Sequence, residues 1–208
     1  MIIEPFIERA SIHRLNLDIS NKCPLECLRC ARRNFTKNNN KNGKIPGRDL
    51  SIKEFDTITN FFPKISFCGQ YSDPIHHPYF IDFLIICKEK RININVHTAS
   101  SFKSKEWYIK AFNAHPLANW TFGIDGLPNQ SHIYRKNQDG EKLFDIMLEA
   151  KKYLVEKPIW QYILFKYNQD NVTEAIQLAS DHDLRFDLLQ SNRLNDFLRP
   201  DKLPEILN

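Results

Sequence analysis

No apolar run in this chain of 208 residues approaches the ~20 residues that a membrane-spanning helix needs. The N-terminus, MIIEPFIERASIHR, mixes acids among its apolar residues and lacks the basic-then-apolar order of a signal peptide. A cytoplasmic location is therefore the expectation, and it is a compartment in which thiols stay reduced. Cysteines are few and odd in number, five, which argues against a disulfide framework. None follows Cys87. A dominant charge is missing too: the net charge of +4 permits an anionic partner but is no nucleic-acid footprint by itself. Internal repeats, long linkers and a break in composition are also absent, so residues 1–208 read as a single domain.

What is present is the composition of an ordinary globular protein, 42% hydrophobic and 26% charged, long enough for a sizeable core. Short β-rich runs alternate with longer helical ones. Strands are predicted over Leu15–Ile19, Ile65–Cys68, Ile92–His97, Trp120–Ile124, Trp160–Phe165 and Phe186–Leu189. Helices are predicted near Ser51–Phe62, Pro78–Lys90, Lys105–Asn113, Glu141–Glu156 and Asn171–Asp183. Ser51 with Glu54 reads as a capping box, and Asn171 with Glu174 as a comparable helix start. Alternation of this kind implies right-handed βαβ units and a parallel sheet. About six units fit, whereas a closed eight-unit barrel takes ~250 residues. The fold class is thus α/β, a partial (β/α)6 TIM-like barrel with parallel strands.

Three cysteines, Cys23, Cys27 and Cys30, stand as C-x3-C-x2-C just after the first strand. Three thiolates can bind a cubane iron–sulfur cluster and leave one iron without a protein ligand, whereas a cluster kept for electron transfer usually has four. Zinc is the alternative, with His13 or His76 as a fourth ligand. Thr98, Asp125 and Lys166 also fall at strand ends, where parallel α/β folds gather ligands. The second strand ends in Cys68-Gly69-Gln70-Tyr71-Ser72-Asp73-Pro74, in which Gly69 permits close backbone approach and Asp73-Pro74 sets a rigid turn. Cys87 sits in an apolar helical run and reads as core. Between Arg32 and Arg48 the sequence RRNFTKNNNKNGKIPGR loses all periodicity and reads as a basic loop near the mouth of the site, either plain solvated surface or a cover for it.

The stretch LNLDISNKCPLECLRCARR, Leu15 to Arg33, resembles the signature of the radical S-adenosylmethionine (SAM) enzymes. The resemblance implies that Cys23, Cys27 and Cys30 hold a [4Fe–4S] cluster whose open iron takes the amino and carboxylate groups of SAM. Cys68-Gly69-Gln70 resembles the family's Gly-Gly-Glu, with Gln70 in place of the acid and Asp73 as the candidate to supply it. His97-Thr98-Ala99-Ser100 looks like its Thr-Asn-Gly. The run TFGIDGLPNQSHIYRKN, Thr121 to Asn137, is similar to the fourth-strand region of members that modify peptides and cofactors. Gly123 replaces a serine there, while Asp125, Gly126, His132 and Arg135 match. An arginine at that place tends to reach the SAM carboxylate, so Arg135 is the basic candidate; Asn168 is the candidate adenosine contact. Before the last cysteine an aromatic residue is often found, and here Arg29 stands. The likeness runs from about Ser11 to Arg193.

The resemblance further implies a one-electron reductant such as flavodoxin, and a 5′-deoxyadenosyl radical that takes hydrogen from a substrate. Cys68, ending a strand toward the site, is the candidate hydrogen-atom donor or radical carrier. Three functions stay open: an enzyme acting on a peptide or protein, the same chemistry on a nucleotide, RNA base or small metabolite, and a non-catalytic iron–sulfur or SAM-binding module. Peptide-modifying members often carry a C-terminal cysteine-rich extension, and no cysteine after Cys87 would supply one.

Overall fold

A computed structural model describes residues 14–32, 45, 47–191 and 198–204. Six strands, β1 (Leu15–Asn16), β2 (Lys64–Phe67), β3 (Asn93–Thr98), β4 (Asn119–Gly123), β5 (Ile159–Leu164) and β6 (Arg185–Gln190), form one sheet. Their spatial order is their chain order and every pairing is parallel. The described helices between them are α1 (Ile52–Thr59), α2 (Phe80–Glu89), α3 (Lys105–Ala114), α4 (Gly140–Ala150) and α5 (Val172–Asp181). Consecutive parallel strands joined by right-handed crossovers place every helix on one face. The sheet then curls into the partial barrel expected from the sequence, with its inner face clear of helices.

Side-chain alternation decides which residues meet the helices. In β5, Trp160, Tyr162 and Leu164 are buried against the helical layer, while Ile159, Gln161 and Ile163 turn to the inner face. Ile94 and Val96 of β3 and Trp120 and Phe122 of β4 do the same work next door. The helical layer answers with rings: Phe55 of α1 stacks on Phe83 of α2 with centroids 4.1 Å apart, and Phe112 of α3 meets Trp120 edge-on at 4.9 Å. Such pairs add about 1 kcal/mol each beyond the area they bury.

Caps set the helix starts. Ser51 and Glu54 close the expected capping box: Oγ of Ser51 accepts from the Glu54 N–H at 3.3 Å, and the Glu54 carboxylate accepts from the Ser51 N–H at 2.9 Å. Ser104 and Asp139 cap α3 and α4. The start predicted at Asn171 differs: a 3-10 turn over Lys166–Asn171 leads into α5, and the Asn171 side chain makes no capping bond. Helix α4 stops at Ala150, short of the predicted Glu156: its end tightens into i→i−3 turns, with the Lys152 and Tyr153 N–H groups donating to the Glu149 and Ala150 carbonyls at 3.0 Å, and the Val155 N–H then leaves it for the Pro116 carbonyl at 3.0 Å. Its first residue must be glycine. A Cβ on Gly140 would lie 2.2 Å from the Pro128 carbonyl oxygen.

Candidate functional site

The cysteine loop hangs between the two halves of the sheet. On one side the chain leaving β1 stays on β2, the Leu17 N–H donating to the Ser66 carbonyl at 2.9 Å. On the other, the N–H groups of Glu26 and Leu28 donate to the carbonyls of Lys136 and Tyr134 at 3.1 and 3.2 Å, and the Asn137 amide reaches the Pro24 carbonyl at 3.3 Å. Arg32 donates to the Cys23 carbonyl. Clamped in this way, Cys23, Cys27 and Cys30 all line one cavity of about 180 Å³, which opens at the C-terminal ends of the strands.

Burial, reinforced by the neighbouring Asp73 charge, pushes the Cys23 thiol up to about 12. Burial pushes Cys27 up to about 11 against the opposing pull of Arg135. Left alone these thiols stay protonated, and only a bound cationic group turns them into thiolates. Among the described residues, no group of three or more His, Cys, Asp or Glu is placed to hold a single metal ion. Three thiols spread around a shared cavity instead suit a polynuclear iron–sulfur cluster, each able to take a different iron. The donor set therefore fits the [4Fe–4S] group. Of the histidines raised as zinc ligands, His13 lies outside the described residues. The ring of His76 is engaged with Ser100 Oγ at 2.7 Å, away from the cavity lining.

The wall formed by the ends of β2 and β3 is built on two carboxylates. Asp18 accepts from the backbone N–H groups of Gln70 (3.0 Å) and Tyr71 (3.3 Å) and from Ser72 Oγ (2.9 Å), which fixes the turn after Cys68. Gly69, at φ +58°, makes that turn possible, since a Cβ there would lie 2.4 Å from the Ser72 carbonyl oxygen. Asp73 is fully buried. It accepts from Thr98 Oγ1 at 2.9 Å and from the Ala99 N–H at 2.9 Å, tying the turn to the end of β3. Burial pushes its carboxyl above the usual range despite these bonds. Cys68, Gly69, Gln70, Asp73 and Thr98 all line the cavity, and burial with the Asp18 charge raises the Cys68 thiol.

The opposite wall, at the ends of β4 and β5, carries a buried ion pair. Arg135 Nε stands 2.7 Å from Asp125 Oδ2. Asp125 in turn accepts from the Ile163 N–H at 2.9 Å, and its carbonyl accepts from Tyr167 Oη. Burial opposes charge on the guanidinium, yet Asp125 and Cys27 beside it hold its pKa above the ordinary value. Gly123 makes the room: a Cβ there would meet Arg135 Nη2 at 2.7 Å. Gln138 laces the two walls by donating to the carbonyls of Ala99 (2.5 Å) and Gly123 (2.8 Å).

Not every residue singled out in the sequence reaches the cavity. Asp125 acts on it through Arg135 and is not part of its lining. Lys166 turns outward to Asp201 at 2.9 Å. Asn168 is fully buried with its side chain occupied: its Oδ1 accepts from the Phe165 N–H at 2.7 Å and its Nδ2 donates to the Ile163 carbonyl at 3.0 Å. The geometry thus makes Asn168 a turn-former rather than a cavity residue. Arg29 is exposed and off the lining, where Arg32 stands instead. Cys87 is core, as expected. Of the loop after the triplet, residues 33–44 and 46 lie outside the described residues.

Sequence reasoning passed over Asp18, Tyr134, Gln138 and Gln161. A signal existed for Asp18, an acid at the end of the first strand that is followed within a few residues by the cysteine triplet. For Gln138 there was none, because the strand ends it bridges become neighbours only in the folded chain.

No family model matches the sequence, and no curated protein does. Solved structures do match in fold. SuiB of Streptococcus suis superposes with a TM-score of 0.69 at 14% identity, covering 93% of this chain and 43% of its own. Its complex with S-adenosylmethionine gives 0.69 at 13% over 93% and 44%, and its complex with the precursor peptide SuiA gives 0.70 at 14% over 93% and 42%. Methylornithine synthase (PylB) gives 0.60 at 14% over 90% of this chain and 54% of its own. The chain therefore spans about half the length of these structures or less. Nearly the whole of it has the partial-barrel fold of the radical SAM enzymes SuiB and methylornithine synthase.

Proposed function

We propose that this chain is a radical SAM enzyme in which Cys23, Cys27 and Cys30 hold a [4Fe–4S] cluster. The observation that carries the reading is the convergence of those three thiols and the Arg135 guanidinium on one cavity, with a rigid Asp18-held turn facing them. When bound, the cluster and SAM supply a one-electron cleavage, from a reductant such as flavodoxin, to methionine and a 5′-deoxyadenosyl radical that takes a hydrogen atom from the substrate. The protein's part is binding and orientation. Arg135, fixed at Nε by Asp125, keeps its terminal nitrogens for a carboxylate, a geometry suited to the methionine end of SAM. In the turn after Cys68 the N–H groups of Gln70 and Tyr71 are already engaged by Asp18, so what the turn offers is carbonyl oxygen, suited to an amino group. Thr98 and Asp73 hold that turn in place.

A peptide or protein is the substrate this reading favours. It is supported by SuiB, solved with its precursor peptide, and by the fourth-strand likeness. The same chemistry on a nucleotide, RNA base or small metabolite is the second reading, supported by the basic run after the triplet. Cys68 shares the cavity with the cluster cysteines, and we assign it the hydrogen-donor role: its S–H would pass a hydrogen atom to a substrate radical, leaving a thiyl radical that one electron from the reductant and one proton from solvent would return to the thiol. Among the described residues no helix is long and apolar enough to cross a membrane.

Anaerobic reduction of the iron-loaded protein with SAM should yield 5′-deoxyadenosine and methionine. Intact cluster absorbance with no 5′-deoxyadenosine would leave only the non-catalytic module. In the same assay Cys68→Ser should keep the cluster absorbance and still cleave SAM. Loss of the absorbance would make Cys68 a fourth ligand and close the open iron.

A further inference from the structure

The inner faces of TIM-type barrels are ordinarily packed with branched apolar side chains in layers. Here the inner face is polar across β1 to β4, and its apolar inward residues, Ile159, Ile163 and Leu189, belong to β5 and β6. Asn16, Ser66, Asn95 and Asn119 are in direct register across β1 to β4, so they form one row. At the spacing of neighbouring strands this row is roughly 14 Å long, enough for an extended segment of about four residues. One layer nearer the cavity, His97 is in register with Thr121, and Gln161 with Gly123 on one side and Asp187 on the other. His97, Thr121 and Gln161 line the cavity itself, so the polar face is its floor.

These side chains have hydrogen-bonding capacity that the protein does not use. Asn119 Nδ2 donates to Asn95 Oδ1 at 3.2 Å. Asn16, Ser66, His97 and Gln161 have no side-chain hydrogen bond to any described residue. Asn16 is exposed to water, whereas the half-buried amides of Asn95, Asn119 and Gln161 cost free energy where neither water nor a ligand answers their unused groups. Carboxamides offer one donor and one acceptor side by side, the complement of another amide. Nucleobases are ordinarily held by stacking on aromatic rings, and no Phe, Tyr or Trp occupies an inward position of the six strands; the two tyrosines of the cavity, Tyr71 and Tyr134, come from the loops after β2 and β4 and not from the floor. Their rings, those of Trp120, Phe122, Trp160, Tyr162 and Phe186 among them, face the helices.

We infer that the polar floor is the substrate subsite, and that it reads the amide groups of a non-aromatic, peptide-like segment with Asn95, Asn119 and Gln161 as specificity-determining residues. This rests on the radical SAM reading above, since the segment must lie where the 5′ carbon of the radical can take its hydrogen. In that step a substrate C–H bond breaks homolytically, a C–H bond forms on the deoxyadenosyl carbon, and the substrate is left as a carbon radical.

Deuterium tests it without knowing the substrate. The reduced, SAM-loaded protein is incubated with a protease digest of perdeuterated protein, with a nuclease digest of perdeuterated RNA, or with perdeuterated fatty acids. The 5′-deoxyadenosine is then weighed by mass spectrometry. The expected result is 5′-deoxyadenosine one mass unit heavier with the peptide digest alone. The labelled fraction should fall about tenfold in Asn95→Leu and in Gln161→Leu, as loss of one hydrogen bond to an uncharged partner predicts. Label from RNA or fatty acids in preference to peptides overturns the inference, as does peptide label indifferent to both substitutions. Unlabelled 5′-deoxyadenosine in every arm overturns it while leaving the SAM chemistry standing. Absence of 5′-deoxyadenosine sinks both.

Discussion

The two walls of the cavity are each built on a fully buried aspartate, and the two are used in opposite ways. On the β2–β3 wall Asp73 meets only neutral donors, Thr98 Oγ1 and backbone N–H groups. Nothing on it is left for a ligand, and the result is a fixed turn. On the β4–β5 wall Asp125 uses one oxygen on the Ile163 backbone and the other on Arg135. That pairing holds, at Nε, a guanidinium that lines the cavity. One carboxylate freezes main chain, and the other aims a cation. A neutral network and a paired cation are thus supplied by separate strands, so each can be broken without the other.

The largest effect should follow Asp125→Ala. It leaves Arg135 charged, buried and unpaired, a change that costs about 3–5 kcal/mol. Asp73→Ala orphans neutral donors only, at about 1–3 kcal/mol for each group left unsatisfied. Urea unfolding followed by circular dichroism should rank Asp125→Ala as the more damaging, and adding Arg135→Met to it should restore part of the loss. Equal losses that Arg135→Met does not relieve would show that the two walls do not differ in kind.

A smaller effect concerns the neutral wall and pH. His76 sits behind it on Ser100, and burial pushes its imidazole down to about 4. Below the ordinary value near 6.5 the unfolded chain takes a proton that the folded one refuses. Stability should therefore fall as pH drops from about 6.5 toward 4. His77 and His97, also lowered by burial, add to the same slope. His76→Gln should make the shift in urea midpoint between pH 7 and pH 5 smaller. An unchanged shift would mean that the ring does not titrate as its burial requires.

The same contrast explains what could be read from the sequence. All six strands and five helices were legible, because buried apolar residues at period two or near four leave a local trace. The cysteine triplet was legible because all three cysteines lie within eight residues. Asp73 and Thr98 were found as strand-end residues, but their bond to each other spans 25 positions and has no local trace. Thr98 is the last residue of its strand, whereas Lys166 and Asn168 lie beyond theirs, and the 3-10 turn that begins at Lys166 swings one outward and folds the other back on its own loop. Strand-end position selects candidates; the conformation of the following turn decides which of them face the site. The polar floor was hidden for another reason. Alternation in NINVHT or IWQYIL marks a strand, but only register across strands turns separate Asn and Ser positions into a row.

The smallest change in stability, and the sharpest test of the division between walls, is expected at Gly123. The backbone there is ordinary, so alanine meets no conformational barrier and the whole effect comes from contact. A new Cβ would stand 2.7 Å from Arg135 Nη2 and 3.0 Å from Cζ, closer than packed atoms allow, and Asp125 holds the other end of the guanidinium. The fork must move off Gly123 by a few tenths of an ångström or more. Strain of this kind costs about 1 kcal/mol, at the low end for an overpacked site, because only a side chain has to move. Binding should suffer more than folding, since a carboxylate gripped by two nitrogens depends on their direction. Equilibrium dialysis should show Gly123→Ala binding SAM about tenfold more weakly, a difference of about 1.4 kcal/mol, with cluster absorbance intact. Asp73→Asn, which leaves Arg135 alone, should retain the grip of that wall on the carboxylate. If Gly123→Ala binds SAM as the wild type does, Arg135 is not the residue that receives it, and the ion pair of the β4–β5 wall is there for the fold alone.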